Sequence, residues 1–475
     1  NIPVGSTLAL RVSGNYRDQG EGYFGEGDRG MRERINGRVK LLWEPTADLA
    51  ILLGAAYEED NANSGGNQTT VNPATDVLTT LNAQFYPARK EQQQYWAEVD
   101  WSLGPVSLVY QAALRTWEQD DLYLQTGNFI GSGARLLQLL DTPVNRFHTQ
   151  ELRLASDDDS SLSWQVGTFY YKNRLETNNR NFLGNNNNEE IALQLLTETE
   201  KTTENIGVFG EATFSATPFL RLTLGARYDD TRITVSEFSF ENSWSLCGTT
   251  LAFVPMMVLG AQGQTCTGPG QASIPAPPGA SIDDLGIDFQ NFNYKARVEY
   301  DLADWNLVYA SVSTGFRPGD AGIVRNQLNV LDAEKLTSFE IGSKNRFLDN
   351  TLHVNLGAYY YIYKGFQTQY RAETASPADY ANRSTIRTTV PARNLGFEVE
   401  TLFRPSEQDL FSLNYSYVAS RWHNKPAGFA AAQPETRRAL PAHTFQASYS
   451  HLFALPGGSS LGARIDGKFE SGHLT

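Results

Sequence analysis

Apolar and polar residues alternate along much of this chain with a period of two. Phe292, Tyr294, Ala296, Val298 and Tyr300 fall on one side of an extended segment, and Asn293, Lys295, Arg297 and Glu299 on the other. Leu220, Leu222, Leu224, Ala226 and Tyr228 oppose Arg221, Thr223, Gly225, Arg227 and Asp229 in the same way. Leu461 to Phe469 repeats the pattern around Arg464, Asp466 and Lys468, and Phe397 to Phe403 around Glu398 and Glu400. Helical spacing fits none of these segments, so each reads as a strand with one oily and one charged face.

Carried along the chain, the pattern predicts strands near 6–17, 32–43, 48–59, 91–102, 106–118, 146–156, 161–173, 201–214, 219–232, 290–301, 304–316, 334–347, 351–365, 385–403, 409–421, 440–453 and 459–470, seventeen in all. Most are longer than globular strands and match the roughly 9 to 11 residues that a tilted strand needs to cross hydrocarbon. Short turns at Glu44–Ala47, Gly104–Pro105, Asp157–Ser160, Ser215–Pro218 and Leu348–Asn350 interleave with long connections near 60–90, 119–145, 174–200, 233–289, 317–333, 366–384 and 422–439. Short turns at one end and long loops at the other are the pattern of an all-β, transmembrane, antiparallel up-and-down β-barrel. A soluble sandwich or propeller is the competing reading, disfavoured by strand length and by the lack of a fixed-period repeat.

Composition fits this picture. Hydrophobic residues make up 40% of the 475 and mean hydropathy is -0.40, so no run approaches the roughly 20 apolar residues of a membrane helix. A barrel strand shows lipid only every second residue, which keeps its hydropathy low. The 22 Tyr, 25 Phe and 8 Trp supply interfacial girdles. A net charge of -14 argues against nucleic acid as a partner. No linker or composition break divides the chain, which reads as one barrel domain over 1–475. The opening residues Asn1–Gly5 carry no leader-type run and read as a strand end and turn, so further chain is expected upstream.

Candidate chemistry is sparse. Cys247 and Cys266 are the two cysteines and fall in the longest connection. They read as a loop disulfide of an oxidising compartment, with two free thiols or half of a metal site as the alternatives. The apolar run Leu251–Leu259 between them is too short to span and is broken by Pro255, so it is expected to pack the loop. Tyr370–Arg371 and Trp422–His423 stand at strand tops where an entering ligand would pass. Aromatic and cationic groups suit an anionic or catecholate-like chelate, while girdle or loop packing is the plainer reading. Arg221, Arg227, Lys295, Arg297, Glu299, Glu398, Glu400, Arg464 and Asp466 are expected to line the lumen. The six histidines show no spacing with Ser or Asp that suggests a nucleophile and base, so no catalytic residue, cofactor or metal site is assigned.

Tyr309–Gly319, with Ser313-Thr314-Gly315-Phe316-Arg317-Pro318-Gly319, resembles the barrel domain of TonB-dependent outer-membrane receptors. Leu336–Lys344 with the following Leu348–Asn350 turn, and Asn394–Glu400, resemble that family in order and spacing. Leu8–Tyr23 and Lys40–Leu49, including Trp43-Glu44-Pro45-Thr46, are similar to its early barrel segments. The resemblance implies a 22-stranded barrel, plugged by an N-terminal domain, of which this chain supplies about seventeen strands. On that reading the chain is incomplete at both ends, with no separate plug domain, and the lumen charges dock the plug. It also implies a Gram-negative outer membrane, with its lipid, a TonB energy-coupling complex reached through the plug, and a small-molecule metal chelate as partners. Active import of a scarce ligand, by default a ferric siderophore, is the expected function. Cobalamin, oligosaccharide or plant-derived aromatic ligands, and a passive diffusion porin, are the alternatives.

Overall fold

The computed structural model describes residues 2–20, 31–64, 69–72, 77–80, 86–126, 136–156, 161–184, 190–241, 280–324, 327–371, 385–426, 429 and 440–472. The first strands are Ile2–Pro3 (β1), Leu8–Gln19 (β2), Arg32–Thr46 (β3) and Leu49–Ser64 (β4). Thr69–Asn72 (β5) and Val77–Thr80 (β6) form a small separate hairpin. Tyr86–Ser102 (β7), Val106–Thr126 (β8), Leu136–Asp141 (β9), Val144–Ser156 (β10), Leu162–Gly184 (β11), Glu190–Thr217 (β12), Leu220–Glu241 (β13), Ala280–Ala303 (β14) and Asn306–Arg317 (β15) follow. Asp320–Val324 (β16) and Gln327–Leu331 (β17) make a second hairpin. Glu334–Phe347 (β18), Leu352–Arg371 (β19), Thr385–Phe403 (β20), Asp409–Trp422 (β21), His443–Ala454 (β22) and Ser460–Glu470 (β23) complete the order.

Nineteen strands form one sheet, and its pairings are antiparallel between strands close in sequence. β9 and β10 act as one strand broken at Thr142–Pro143: β9 pairs the outer ends of β8 and β11, and β10 their inner parts. The ladder survives the break because Gln119 N donates to Pro143 O at 3.0 Å and Thr142 N to Asn178 O at 3.2 Å. With that merger, and with the two-residue β1 set apart, each of the seventeen expected strands is present.

Alternation sorts side chains onto two faces. On β13, Leu224 is 68% exposed while the neighbouring Thr223 is 6% exposed. The apolar row is thus convex and open, and the polar row concave and crowded. Register carries the apolar row from strand to strand: Phe214 faces Leu222, which faces Val298, which faces Ala310, which faces Ile341. It continues through Ala358, Phe397 and Tyr417. Such a sheet is inside-out relative to a soluble protein and suits lipid outside, because the backbone groups are satisfied by the ladder.

Close approach on the concave face fixes several glycines. A Cβ on Gly54 would sit 2.0 Å from the Trp96 ring, and one on Gly396 would sit 2.4 Å from the Tyr359 ring and 2.6 Å from Tyr417 O. Large rings lie flat over these glycines, an arrangement that curved sheets use to turn without a void. At the short-turn end, Leu348, Asp349 and Asn350 all adopt positive φ, and Thr351 closes the turn by donating its N–H to Leu348 O at 3.1 Å.

Strands run further than expected at the long-loop end. Connections read as 174–200 and 119–145 contain the outer parts of β8, β9, β11 and β12. Some of their rungs are polar on both faces, as in Asn178 opposite Glu198 and Asn179 opposite Thr197, while others are apolar on both, as in Leu122 opposite Leu140 and Tyr123 opposite Leu139. Outside the lipid the two faces need not differ, so the ladder continues without the regular apolar–polar alternation.

Candidate functional site: the concave face and its mouth

The nine charged residues expected in the lumen all lie on the concave, polar face. Three of them meet on β13 and β14. Arg221 contacts Asp301 at 2.6 Å and Glu299 at 3.5 Å, and Arg297 contacts Glu299 at 2.6 Å. Lys295 reaches across to Glu211 on β12 at 2.9 Å, and Arg227 pairs with Asp229 at 2.8 Å. Arg227 also lies 5.4 Å from the Phe169 ring centre, and Arg297 stands 4.4 Å over Tyr309. The others are elsewhere around the sheet. Glu400 accepts from Asn355 at 3.3 Å, Glu398 lies two residues away, and Arg464 pairs with Asp466 at 2.8 Å on β23. Wall charges are therefore mostly paired with one another, which limits the cost of crowding them.

Tyr370 and Arg371 close β19, opposite Ile386 and Thr385, and only their backbone is described. Trp422 ends β21 in an aromatic cluster: its ring centre lies 5.8 Å from that of Phe366 and 5.0 Å, edge-on, from that of the fully buried Phe429. His423 is exposed and donates its N–H to Pro391 O at 2.8 Å. Trp422 is thus held by packing, while His423 is open to solvent. Cys247, Cys266 and the run 251–259 lie outside the described residues.

Two features went unread in the sequence. The first is a recess of about 550 Å³ on the concave face, lined by Arg115, Trp117, Asn145, Phe147, Tyr171 and Asn173 among others. The Arg115 guanidinium stands 4.3 Å over Phe147, Asn145 Nδ2 donates to Asn173 Oδ1 at 2.7 Å, and Arg115 Nε is buried with no protein acceptor. An aromatic-lined cation with spare donor capacity suits a planar anionic ligand. The signal was present as Arg115 and Trp117 on the polar phase of β8.

The second is the β16–β17 hairpin, which folds over the outer extension of β13 and β14. Ala321 closes a small core with Ile233 and Val235, flanked by Leu285, Ile287 and Phe289. Asp320 is held by Lys201 from β12 and by Arg387 from β20, the latter at 3.0 Å. Glu237 Oε1 accepts from Ile323 N at 2.8 Å, and Gln367 Nε2 donates to Pro318 O at 2.7 Å. The segment 317–333 was expected to be an open loop; it is a strap pinned from three sides, and its five-residue strands are too short to show a period.

Glu237 lies beyond the exposed apolar row of β13. Burial pushes its carboxyl above the usual glutamate value and Asp320 adds to this, while the Ile323 N–H, Thr199 and Arg387 pull the other way. A raised carboxyl binds its proton more tightly in the docked state, so docking is strongest below the ordinary value of 4.5 and weakens as pH climbs through the raised one. Hydrogen exchange of 320–331 followed from about pH 4 to 8 is expected to quicken with pH beyond its chemical rate. Glu237→Gln should remove the excess; a wild-type excess that persists in the variant refutes this assignment.

Among the described residues, no three His, Cys, Asp or Glu side chains are placed to hold a metal ion, and no helix is long and apolar enough to cross a membrane. An antiparallel up-and-down sheet with an open apolar convex face and a charged concave face defines a transmembrane β-barrel protein. Within that class the family is specific: residues 118–471 match the model of the TonB dependent receptor-like β-barrel, and the chain belongs to that family. Among solved structures it is similar to the ferric yersiniabactin uptake receptor FyuA of Yersinia pestis, with 15% identity and a TM-score of 0.73, over 99% of this chain and 65% of that one. It is also similar to the ferric-catecholate import receptor Fiu of E. coli K12, with 14% identity and a TM-score of 0.65, over 98% and 68%. A third is the copper transporter OprC, with 15% identity and a TM-score of 0.62, over 97% and 64%. The chain thus spans about two thirds of the length of these receptors. No curated protein sequence matches it.

Proposed function

We propose that this chain forms the barrel wall of a Gram-negative outer-membrane importer, energised through a TonB coupling complex, whose ligand is a ferric siderophore. Family membership supports the importer class, and the observation that carries the ligand reading is the Arg115–Trp117–Phe147–Tyr171 recess. Its aromatic faces and half-buried guanidinium, whose Nε has no protein acceptor, suit the planar, anionic donor groups of a catecholate-type chelate. Tyr370, Arg371, Trp422 and His423 stand at the ends of β19 and β21 and are proposed to meet the ligand before it reaches the recess. The paired charges of β13 and β14, with Glu398 and Glu400 of β20 and the Arg464–Asp466 pair of β23, form the polar wall against which a plug docks. Cys247 and Cys266 are proposed to close a loop disulfide, which thiol labelling before and after reduction tests.

The test is uptake of a panel of radiolabelled ferric chelates by cells making the complete gene product, with and without a functioning coupling protein. Coupling-dependent uptake of one chelate is expected, and Arg115→Ala with Trp117→Ala should raise its half-saturating concentration by about tenfold. Leakage of many solutes without coupling would sink the importer, whereas coupled uptake of only a sugar or cobalamin would overturn the siderophore alone.

A further inference from the structure

A single row of the concave face joins the recess to the strap. Register carries it from Trp117 to Asn145, Leu175, Lys201 and Val235, each directly opposite the next on β8, β10, β11, β12 and β13. The first three line the Arg115 recess, and Val235 is fully buried in the small core that Ala321 of the strap closes. Lys201 stands between the two, and directly opposed residues of neighbouring strands share a face within side-chain reach. Among the described residues its ammonium pairs with Asp320, the carboxylate that pins the strap.

An ammonium so placed is open to anions from two sides. Asp320 reaches it from the strap, and an anionic group seated in the recess would reach it from beside Leu175. Both anions would then stand on one cation in a part-buried place, where salt screens their mutual repulsion poorly. Asp320 has a second partner, Arg387 at 3.0 Å, which lies on β20 and outside the recess row. It keeps that partner when Lys201 is lost, whereas a ligand in the recess gains Lys201 only by taking it.

We propose that Asp320 occupies an anion site at the edge of the recess, and that an anionic ligand takes Lys201 from it and so loosens the strap from β12 and β13. The docked strap is then an internal competitor of the ligand, and Lys201 makes the recess select for negative charge beside its aromatic faces. The coupling is reciprocal: the factor by which bound ligand loosens the strap is the factor by which removing Asp320 tightens the ligand. The inference rests on the recess being the ligand site but not on the ligand being a ferric siderophore.

The test first puts the anion in place covalently, in the complete protein. Leu175→Glu sets a carboxylate directly opposite Lys201, and limited proteolysis within 320–331 is expected to quicken about tenfold, while Leu175→Gln stays at the wild-type rate. Equal cleavage of the two variants would overturn the proposal. Should Leu175→Glu lose its heat-modifiable migration, Asn173→Asp, which still accepts from Asn145 Nδ2, carries the same test from the next row. The second arm uses the ferric complex of a synthetic tris-catecholamide as probe. It should quicken cleavage of the wild-type strap, and the Asp320→Asn variant should bind it about tenfold more tightly than the wild type. In a Lys201→Gln background the same Asp320→Asn change should leave its affinity unaltered. Equal affinity with and without Asp320, or a strap that the bound probe leaves untouched, would overturn the proposal. A probe that the wild type does not bind counts against the siderophore reading, and Leu175→Glu then decides the competition by itself.

Discussion

Asp320→Ala should release the β16–β17 strap while leaving the barrel standing. The substitution removes both ion pairs that cross the mouth and leaves Lys201, whose side chain is 24% exposed, and Arg387 without the carboxylate they share. Losing a part-buried partner of this kind costs about 2–3 kcal/mol locally, equivalent to a roughly thirtyfold or greater rise in the open population. Limited proteolysis within 320–331 should accelerate by that factor, with heat-modifiable migration unchanged. Ile233→Asp should do the same from the wall side, because Ile233 is 2% exposed beneath the strap and a carboxylate there has no partner. Equal cleavage of wild type and both variants would show that the strap is not held by these contacts.

Gly396→Val is expected to damage the barrel itself. A Cβ at that position meets Tyr417 O at 2.6 Å and the Tyr359 ring at 2.4 Å, one of them backbone of the adjoining strand that cannot swing aside. Overpacking of this kind costs about 1–3 kcal/mol or more, and here it falls in the middle of the ladder joining β19, β20 and β21. The midpoint temperature for loss of heat-modifiable migration should drop well below that of the wild type. Gly37→Val is the control, since nothing lies within 4 Å of its Cβ position. A Gly396→Val protein as stable as Gly37→Val would show that the sheet absorbs the added atoms by a small shift.

These two predictions concern different kinds of information in the chain. The barrel wall was legible because lipid demands an apolar residue at every second position, and rows such as Leu220–Tyr228 cannot be read as helix. The strap was not, because its core is made by Ala321, Ile233 and Leu285, distant in sequence and too few to set up a period. The extended ends of β11 and β12 were missed because a run of Asn in one and a mixed Ile, Leu and Glu stretch in the other break the regular alternation. Among site residues, the phase of the alternation puts Arg221, Arg297 and Glu299 on the polar face but could not say that they join one another. Arg115, Phe147 and Tyr171 come from three strands, and their convergence is set by register, which one sequence shows only weakly.

The near-uniform pairing of each strand with its successor has a kinetic side. Every rung closes a loop no longer than the connection between two consecutive segments, so the sheet can grow one hairpin at a time with little entropy lost at each addition. Energy in such an array is a sum of neighbour terms rather than the property of one shared interior. Length added to an outer connection then slows a single step and leaves the others as they were, so recognition at the mouth is free to change while the wall assembles by an unchanged route.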